Sequence, residues 1–439
     1  MHDPKESRRE MLALCGAASV AAAGSVGLTN MSFAQGPTNG RALNREGSSV
    51  KEFGAIGDGT ADDTAAIQAA IDQAIQQKGG LIYLPAGKYR VTKFLHVHSS
   101  ERIDIVGDGC CSILLHENDE PLLVWDEGVQ CQESSVRDLC IQSVGQDKSP
   151  ETPAILCRGT VRRSLFQHLL LQSGSATCGT GIEIIGSTDT ICFDQCCIWD
   201  VPAGGSGIKL GDASNACEVR IFGGRFVAVP MSDGSIAKGS IGVNLMGGNG
   251  GVHIVTTDFS LFDTALKAGS EDGVLNRELF ITHATFDAGR IGIHILNTAY
   301  VSIAGCWCVS NDEAQILMES KTEVLVPGGG ALLTIAGGTI GNGGVFNRPG
   351  RGDGLRVEAG SFTLTGVTLW HNHGAAVRIE NDKVENYVIT SCRFSDNDTA
   401  ALLAGKQFIF SNNVITGGRE AVIDKSDGQG KIEGNILPI

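Results

Sequence analysis

The sequence predicts an all-β solenoid, in which short parallel strands stack coil upon coil and a lone α-helix closes the amino-terminal end. A short apolar pattern recurs along most of the chain, with apolar positions alternating at period two on either side of a sharp corner. Gly 59 against Pro 11 points to many tight turns rather than disorder, and 42% hydrophobic residues supply a continuous core. One amphipathic helical stretch stands ahead of these repeats and suits the exposed end of a stack.

The chain opens with Ser7-Arg8-Arg9-Glu10-Met11-Leu12, a weakly apolar run from Leu12 to Leu28, and Ser32-Phe33-Ala34 before Gln35. That order is the twin-arginine export pattern with a small-x-small cleavage site, so residues 1–34 are expected to be a signal peptide and the protein periplasmic or secreted. Leu14 is too large to precede a lipoprotein cysteine, and no other apolar run is long enough to span a bilayer. Residues 35–49 read as a linker.

Residues 50–91 read as a capped helix followed by the first strand. Asp62 or Asp63 is the expected N-cap, since a short carboxylate accepts the orphan amide protons of a first turn. Ala66, Ile67, Ala70, Ile71, Ala74 and Ile75 share one helical face, and Gly79-Gly80 ends the helix. Leu81 to Gly87 continues as strand and turn. This segment resembles the opening of the pectate-lyase-like proteins, the polygalacturonase and rhamnogalacturonase/epimerase-type group especially. The resemblance implies a single-stranded right-handed parallel β-helix over residues 50–439 that acts on, or grips, acidic polysaccharide. It is specific for fold and not for reaction.

From about residue 100 the coils recur at intervals of roughly two to three dozen residues. Clear copies are ICFDQCCIW (191–199), VRIFGGRFV (219–227), VHIVTTDFS (252–260), LFITHATFD (279–287), VSIAGCWCV (301–309), LTIAGGTIG (333–341), FTLTGVTLW (362–370), YVITSCRFS (387–395) and FIFSNNVIT (408–416). A second alternation follows several copies, as in GIEII, GIKLG, GVNLM, GIHIL and GLRVE. The sixth place holds Cys196, Gly224, Thr257, Ala284, Cys306, Gly338, Val367, Cys392 and Asn413. Stacking puts them in one inward column, where Asn forms an amide ladder and Cys fills a small apolar space. Neither Cys196-Cys197 nor Cys306-Trp307-Cys308 has the paired spacing of a zinc site, so no metal is expected.

A net charge of -15 argues against nucleic acid as a partner, because a phosphate backbone requires clustered Lys and Arg. It leaves room for an acidic glycan held in a local basic groove. Connections within the coils are long at Val144–Pro153, Asp200–Ser206, Ala228–Ser240 and Asn342–Asp353. They are short at Leu261–Thr264, Ala288–Ile291 and Ser310–Ala314, which leaves a trough between long loops. Asp263, Arg290, Asp312 and Glu313 are expected at its turns and Lys267 and His294 on its strands. Asp258, Asp287 and the outward Trp307 belong to the neighbouring face.

Hydrolysis of a glycosidic bond requires two carboxylates, and Asp263 with Asp312 or Glu313 is the expected catalytic pair. Lys267, Arg290, His294, Asp258, Asp287 and Trp307 are the expected substrate-binding residues. The polygalacturonase resemblance implies paired aspartates just before a C-I-A-I-like strand, the place held by Asp263-Thr264-Ala265-Leu266-Lys267 and Asp312-Glu313-Ala314. That family's Asn-Thr-Asp, Gly-His-Gly and Arg-Ile-Lys motifs are absent, so its reaction is not carried over. Two alternatives stand beside hydrolysis. One is a lyase in which Arg290 or Lys267 removes the proton beside a uronate carboxyl; the other is a non-catalytic glycan-binding scaffold. Hydrolysis needs no cofactor, whereas elimination admits calcium. The expected state is a monomer or a homotrimer.

Overall fold

The computed structural model describes residues 47–437 apart from 212–215, 271–273, 320–330 and 347. The expected signal peptide and most of the expected linker lie outside these residues. Ser48–Ser49 already forms a strand, paired in parallel with Ile82 and Tyr83. The chain folds as a right-handed parallel β-helix. A 13-stranded sheet, one strand per coil, forms one face, and a 29-stranded sheet forms the rest of the wall.

The 29-stranded sheet bends within each coil at a two-residue corner. Its first corner residue is left-handed in nine successive copies, from Gln195 (φ 53°), Gly223 (65°), Thr256 (51°) and His283 (52°) through Gly305, Gly337, Gly366 and Ser391 to Asn412 (56°). The second corner residue is the predicted inward column. Gly224 must be glycine there, because a Cβ would lie 2.0 Å from the Cys196 carbonyl oxygen. Asn413 makes the expected ladder, donating from Nδ2 to Asn435 Oδ1 at 3.0 Å and accepting from the Cys392 amide at 2.9 Å. The cysteines do more than fill space. Cys196, like Thr257, donates to a carbonyl of the preceding coil, at 3.4 Å to Phe166 and 3.2 Å to Gly223 respectively. The Sγ–H therefore substitutes for a hydroxyl in the column.

Stacking also runs through the core. Phe226, Phe259 and Phe286 lie in register with centroids 5.0 and 5.1 Å apart, and Phe362, Tyr387 and Phe408 repeat the arrangement at 5.1 and 4.7 Å. These separations match the rung spacing of about 4.8 Å, so the backbone ladder dictates the aromatic ladder.

The cap helix spans Thr64–Gln76 and buries Ile67, Ala70, Ile71 and Ala74. Burying Ile67 and Ile71 contributes roughly 1.5–3 kcal/mol each. The capping expectation needs one correction. Asp63 holds the N-cap position without capping the helix; its buried carboxylate accepts the Ile56 and Gly57 amides at 2.6 and 3.0 Å. Asp62 accepts the Thr64 amide instead, at 3.0 Å. Those loop amides have no strand partner, and a buried N–H must be satisfied. The helix ends where Lys78 and Gly79 turn left-handed, with the Gly79 amide donating to Ala74 at 2.9 Å. Among the described residues no helix is long and apolar enough to cross a membrane.

Asn413→Leu keeps the side-chain volume while orphaning the Cys392 amide. The expected cost is about 1–3 kcal/mol, read as a lower urea midpoint with an unchanged slope. An unchanged midpoint would show that the ladder carries no stability.

Candidate functional site

The connections that enter the 13-stranded sheet vary as expected. Strand Thr285–Asp287 is joined to Ile291–Leu296 by three residues, whereas Gly341 and Asp353 are separated by an eleven-residue loop, 342–352. Four neighbouring strands, Phe262–Ala268, Ile291–Leu296, Ala314–Glu319 and Asp353–Val357, form the floor. Their register aligns Thr264, Ile291, Ala314 and Asp353, which places Asp263, Arg290 and Glu313 in one column at the entry to the strands. A second column further along holds Lys267, His294, Leu317 and Arg356.

The column at the entry to the strands is a ladder of alternating charge. Arg290 grips Asp263 with two bonds, Nε to Oδ1 at 2.8 Å and Nη2 to Oδ2 at 3.2 Å. That hydrogen bond, more than the opposing burial, raises the guanidinium's pKa. Glu313 contacts Arg356 and accepts the Arg351 amide at 3.2 Å. Burial acts to raise the Glu313 carboxyl, but the bond and charge of Arg356 outweigh it and hold the group below the usual value. Asp353 is fully buried beneath them and accepts Arg378 Nε at 2.8 Å.

Asp312 turns away from this column. It is 1% exposed and pairs with Arg348, Nε to Oδ2 at 2.6 Å, while its Oδ1 is buried without a hydrogen-bond partner among the described residues. Burial raises its pKa, and the adjacent guanidinium offsets only part of that. Arg348 also donates to the Ala288 carbonyl at 3.2 Å, and its guanidinium lies over the Phe346 ring at 4.7 Å. One side chain thus ties the long loop to two short corners. In the second column His294 Nε2 lies 3.0 Å from Glu319 Oε1. Lys267, beside it in register, has no ion-pair partner among the described residues.

The remaining expected residues stand elsewhere. Asp258 and Trp307 occupy one outward column of the 29-stranded sheet, with Arg225 and Thr285. Asp287 lies on the same face, one register column along. Burial raises its pKa against a hydrogen bond from Ser310. Sequence reasoning missed Glu319, Arg348, Arg356 and Arg378. Arg348 sits inside the long loop expected as a trough wall, and Glu319 closes a second apolar alternation, so both had a signal of position without one of contact.

No group of three or more His, Cys, Asp or Glu among the described residues could hold a metal ion. The floor carboxylates are committed to arginines, so this donor set does not fit calcium.

A family model described as "Rhamnogalacturonase A/epimerase, pectate lyase-like" matches residues 47–121, the cap and first coils of this β-helix. That segment of the chain is similar to the pectate-lyase-like proteins. Among curated relatives, mannuronan C5-epimerase AlgE5 of Azotobacter vinelandii is 70% identical over 43 residues, 10% of this chain and 4% of that protein. Alginate lyase 7 of the same organism is 65% identical over 43 residues, 10% of this chain and 5% of that one. The chain spans only a few per cent of the curated relatives it matches first. The Family 28 exopolygalacturonase of Yersinia enterocolitica superposes at 14% identity and TM-score 0.48, covering 89% of this chain and 77% of that one.

Two predictions follow from the ion pairs. Asp312→Asn leaves the part-buried Arg348 without its counter-charge, at an expected cost of about 1.5–3 kcal/mol, with faster proteolytic cleavage in loop 342–352. Adding Arg348→Met should recover most of the loss; equal cleavage rates in all forms would refute the anchoring role. The second prediction concerns acid. Glu313 is held below its ordinary value, so its contribution is present above that value and lost as pH falls through the lowered one. Asp312 is raised, so its sign is opposite: its contribution is present at low pH and lost as pH rises through its value. Glu313→Gln should therefore flatten the acid-side fall of the thermal midpoint, and an unchanged slope would exclude Glu313 as its source.

Proposed function

We propose that this protein acts on a uronate-containing polysaccharide by removing the proton from the sugar carbon that bears the carboxylate. The observation that carries the reading is the division of labour on the trough floor. Asp263, Asp312 and Glu313 are each bonded to an arginine, whereas Lys267 has no ion-pair partner among the described residues and stands beside a histidine held by a carboxylate.

The chemistry follows from those groups. Glu319 accepts from His294 Nε2–H, which leaves the lone pair on Nδ1 as the base. Lys267 neutralises the substrate carboxylate, which makes the adjacent C–H more acidic and stabilises the enolate that forms. Collapse of that enolate with cleavage of the bond to the neighbouring glycosidic oxygen is elimination; return of a proton to the opposite face is epimerisation. Both share the first step. The relatives named mannuronan C5-epimerase and alginate lyase support a uronate substrate, and the amino-terminal Ser7 to Leu12 signature supports action outside the cytoplasm.

Hydrolysis is the second reading. It draws on the register, which sets Asp263 and Glu313 two rungs apart, about 10 Å between backbones. Side chains leaning together would reach the ~6.5–9.5 Å of an inverting pair. Both would first have to leave their arginines.

The test is the chain from Gln35 with oligomannuronate and oligogalacturonate in deuterated water. Ultraviolet absorbance with new chain ends identifies elimination, and deuterium at the carbon beside the carboxyl without new ends identifies epimerisation. His294→Gln should lower either rate about 10²–10⁴-fold, and Lys267→Ala should lower it with a weaker dependence on the substrate carboxylate. New reducing ends without absorbance, lost in Asp263→Asn and kept in His294→Gln, would overturn the proposal in favour of hydrolysis. Binding without any reaction would leave a glycan-holding scaffold.

A further inference from the structure

The cap helix and the first coil line a second, open cleft of about 570 Å³, with Lys93, Phe94, His96 and His98 from the coil and Asp62 and Asp72 from the helix and its start. It belongs to neither the trough nor its loops. We infer that this cleft is a remote subsite for an acidic sugar residue of the same polysaccharide, an inference that rests on the uronate reading above.

Its position is the first argument. His96 pairs with Val124 at the end of the 13-stranded sheet, and the register continues through Leu156, Glu183, Lys209 and Asn244 to Lys267 and His294. The cleft therefore stands at the head of the column that passes through the reactive pair, with Lys267 six rungs away, or about 29 Å at ~4.8 Å per rung. A polysaccharide lying along the solenoid axis meets both places.

Its chemistry is the second. Phe94 packs on the His96 ring with centroids 4.1 Å apart, which fixes an apolar face at the cleft wall for the C–H side of a sugar ring. Asp126 holds His96 Nδ1 at 3.2 Å, so the orientation of that ring is set from behind. Lys93 has no ion-pair partner among the described residues and supplies a cation for a carboxylate. His98, 4.0 Å from Asp72, adds groups for sugar hydroxyls. A volume within ~300–1,000 Å³ is that of a small-ligand site, and one sugar fills part of it. Two such sites joined by one polymer raise each other's effective concentration.

The test compares oligomannuronates or oligogalacturonates long enough to span the six rungs with short ones that cannot. Phe94→Ala and Lys93→Gln should each weaken titration-measured binding of the long oligomers about tenfold or more. Turnover of the short ones should stay unchanged. In the Lys267→Ala chain, the remaining binding of short oligomers should disappear on adding Phe94→Ala. Equal affinity of wild type and cleft variants for the long oligomers overturns the inference, even if turnover proceeds; a thermal midpoint matching wild type confirms that Lys93→Gln is folded. Cleft-dependent binding without any turnover would sink the proposed reaction and leave the subsite standing.

Discussion

The two-residue left-handed corner is the constraint on which the molecule depends. Each non-glycine residue forced there costs on the order of 1–2 kcal/mol, and Gln195, Thr256, His283, Ser391 and Asn412 all adopt it. The cost is met by what the corner allows. It reverses the inward and outward faces within two residues, so the strands on either side both pair with the coils above and below. A longer corner would let the coils slip by a residue, and one residue of slip turns every core side chain toward solvent. The column behind the corner, with Asn413, Thr257 and Cys196 bonding to adjacent coils, pins that register.

Fixed register has an electrostatic consequence. Outward side chains on adjacent coils are held about 4.8 Å apart, too close for two like charges to share a column without a counter-ion between them. The floor meets this condition with Asp263, Arg290 and Glu313 in vertical alternation, and with Arg356 and Arg378 answering Glu313 and Asp353. Such a ladder is a poor place for a pair of catalytic carboxylates, since each acid is already neutralised by a fixed arginine. Lys267 and His294 stand outside that alternation.

The coils were legible in the sequence because their signal is local. Period-two alternation, a glycine or small polar residue at the corner, and a second alternation all fall within a few residues of one another, as in VRIFGGRFV. The difference in connection length was legible for the same reason. The ion pairs were not. Arg348 reaches Asp312 from 36 residues downstream and Arg356 reaches Glu313 from 43, across loops whose length no repeat period dictates. Asp63 shows the same limit at short range. Composition marks it as a helix cap, but the unmet amides of Ile56 and Gly57 decide where its carboxylate goes.

A net charge of -15 opposes the approach of a polyanion at long range, so the groups that receive it must act at contact distance. A Debye length of about 8 Å at physiological salt makes this workable. Beyond it the acidic surface is largely screened, while an unpaired lysine at the sheet surface still meets a carboxylate directly. Unpaired cations are therefore worth more here than their number suggests. The arginines of the floor are spent on the protein's own acids, and a uronate gains little by competing with a bidentate aspartate. Lys267 and Lys93 have no such internal rival among the described residues; Lys267 shares a register column with His96, and Lys93 lies three residues before His96. An acidic chain drawn to both would lie along the axis in the direction the rungs are stacked, its carboxylates facing the 13-stranded sheet. The same corner that sets the stack would then set the orientation of such a chain.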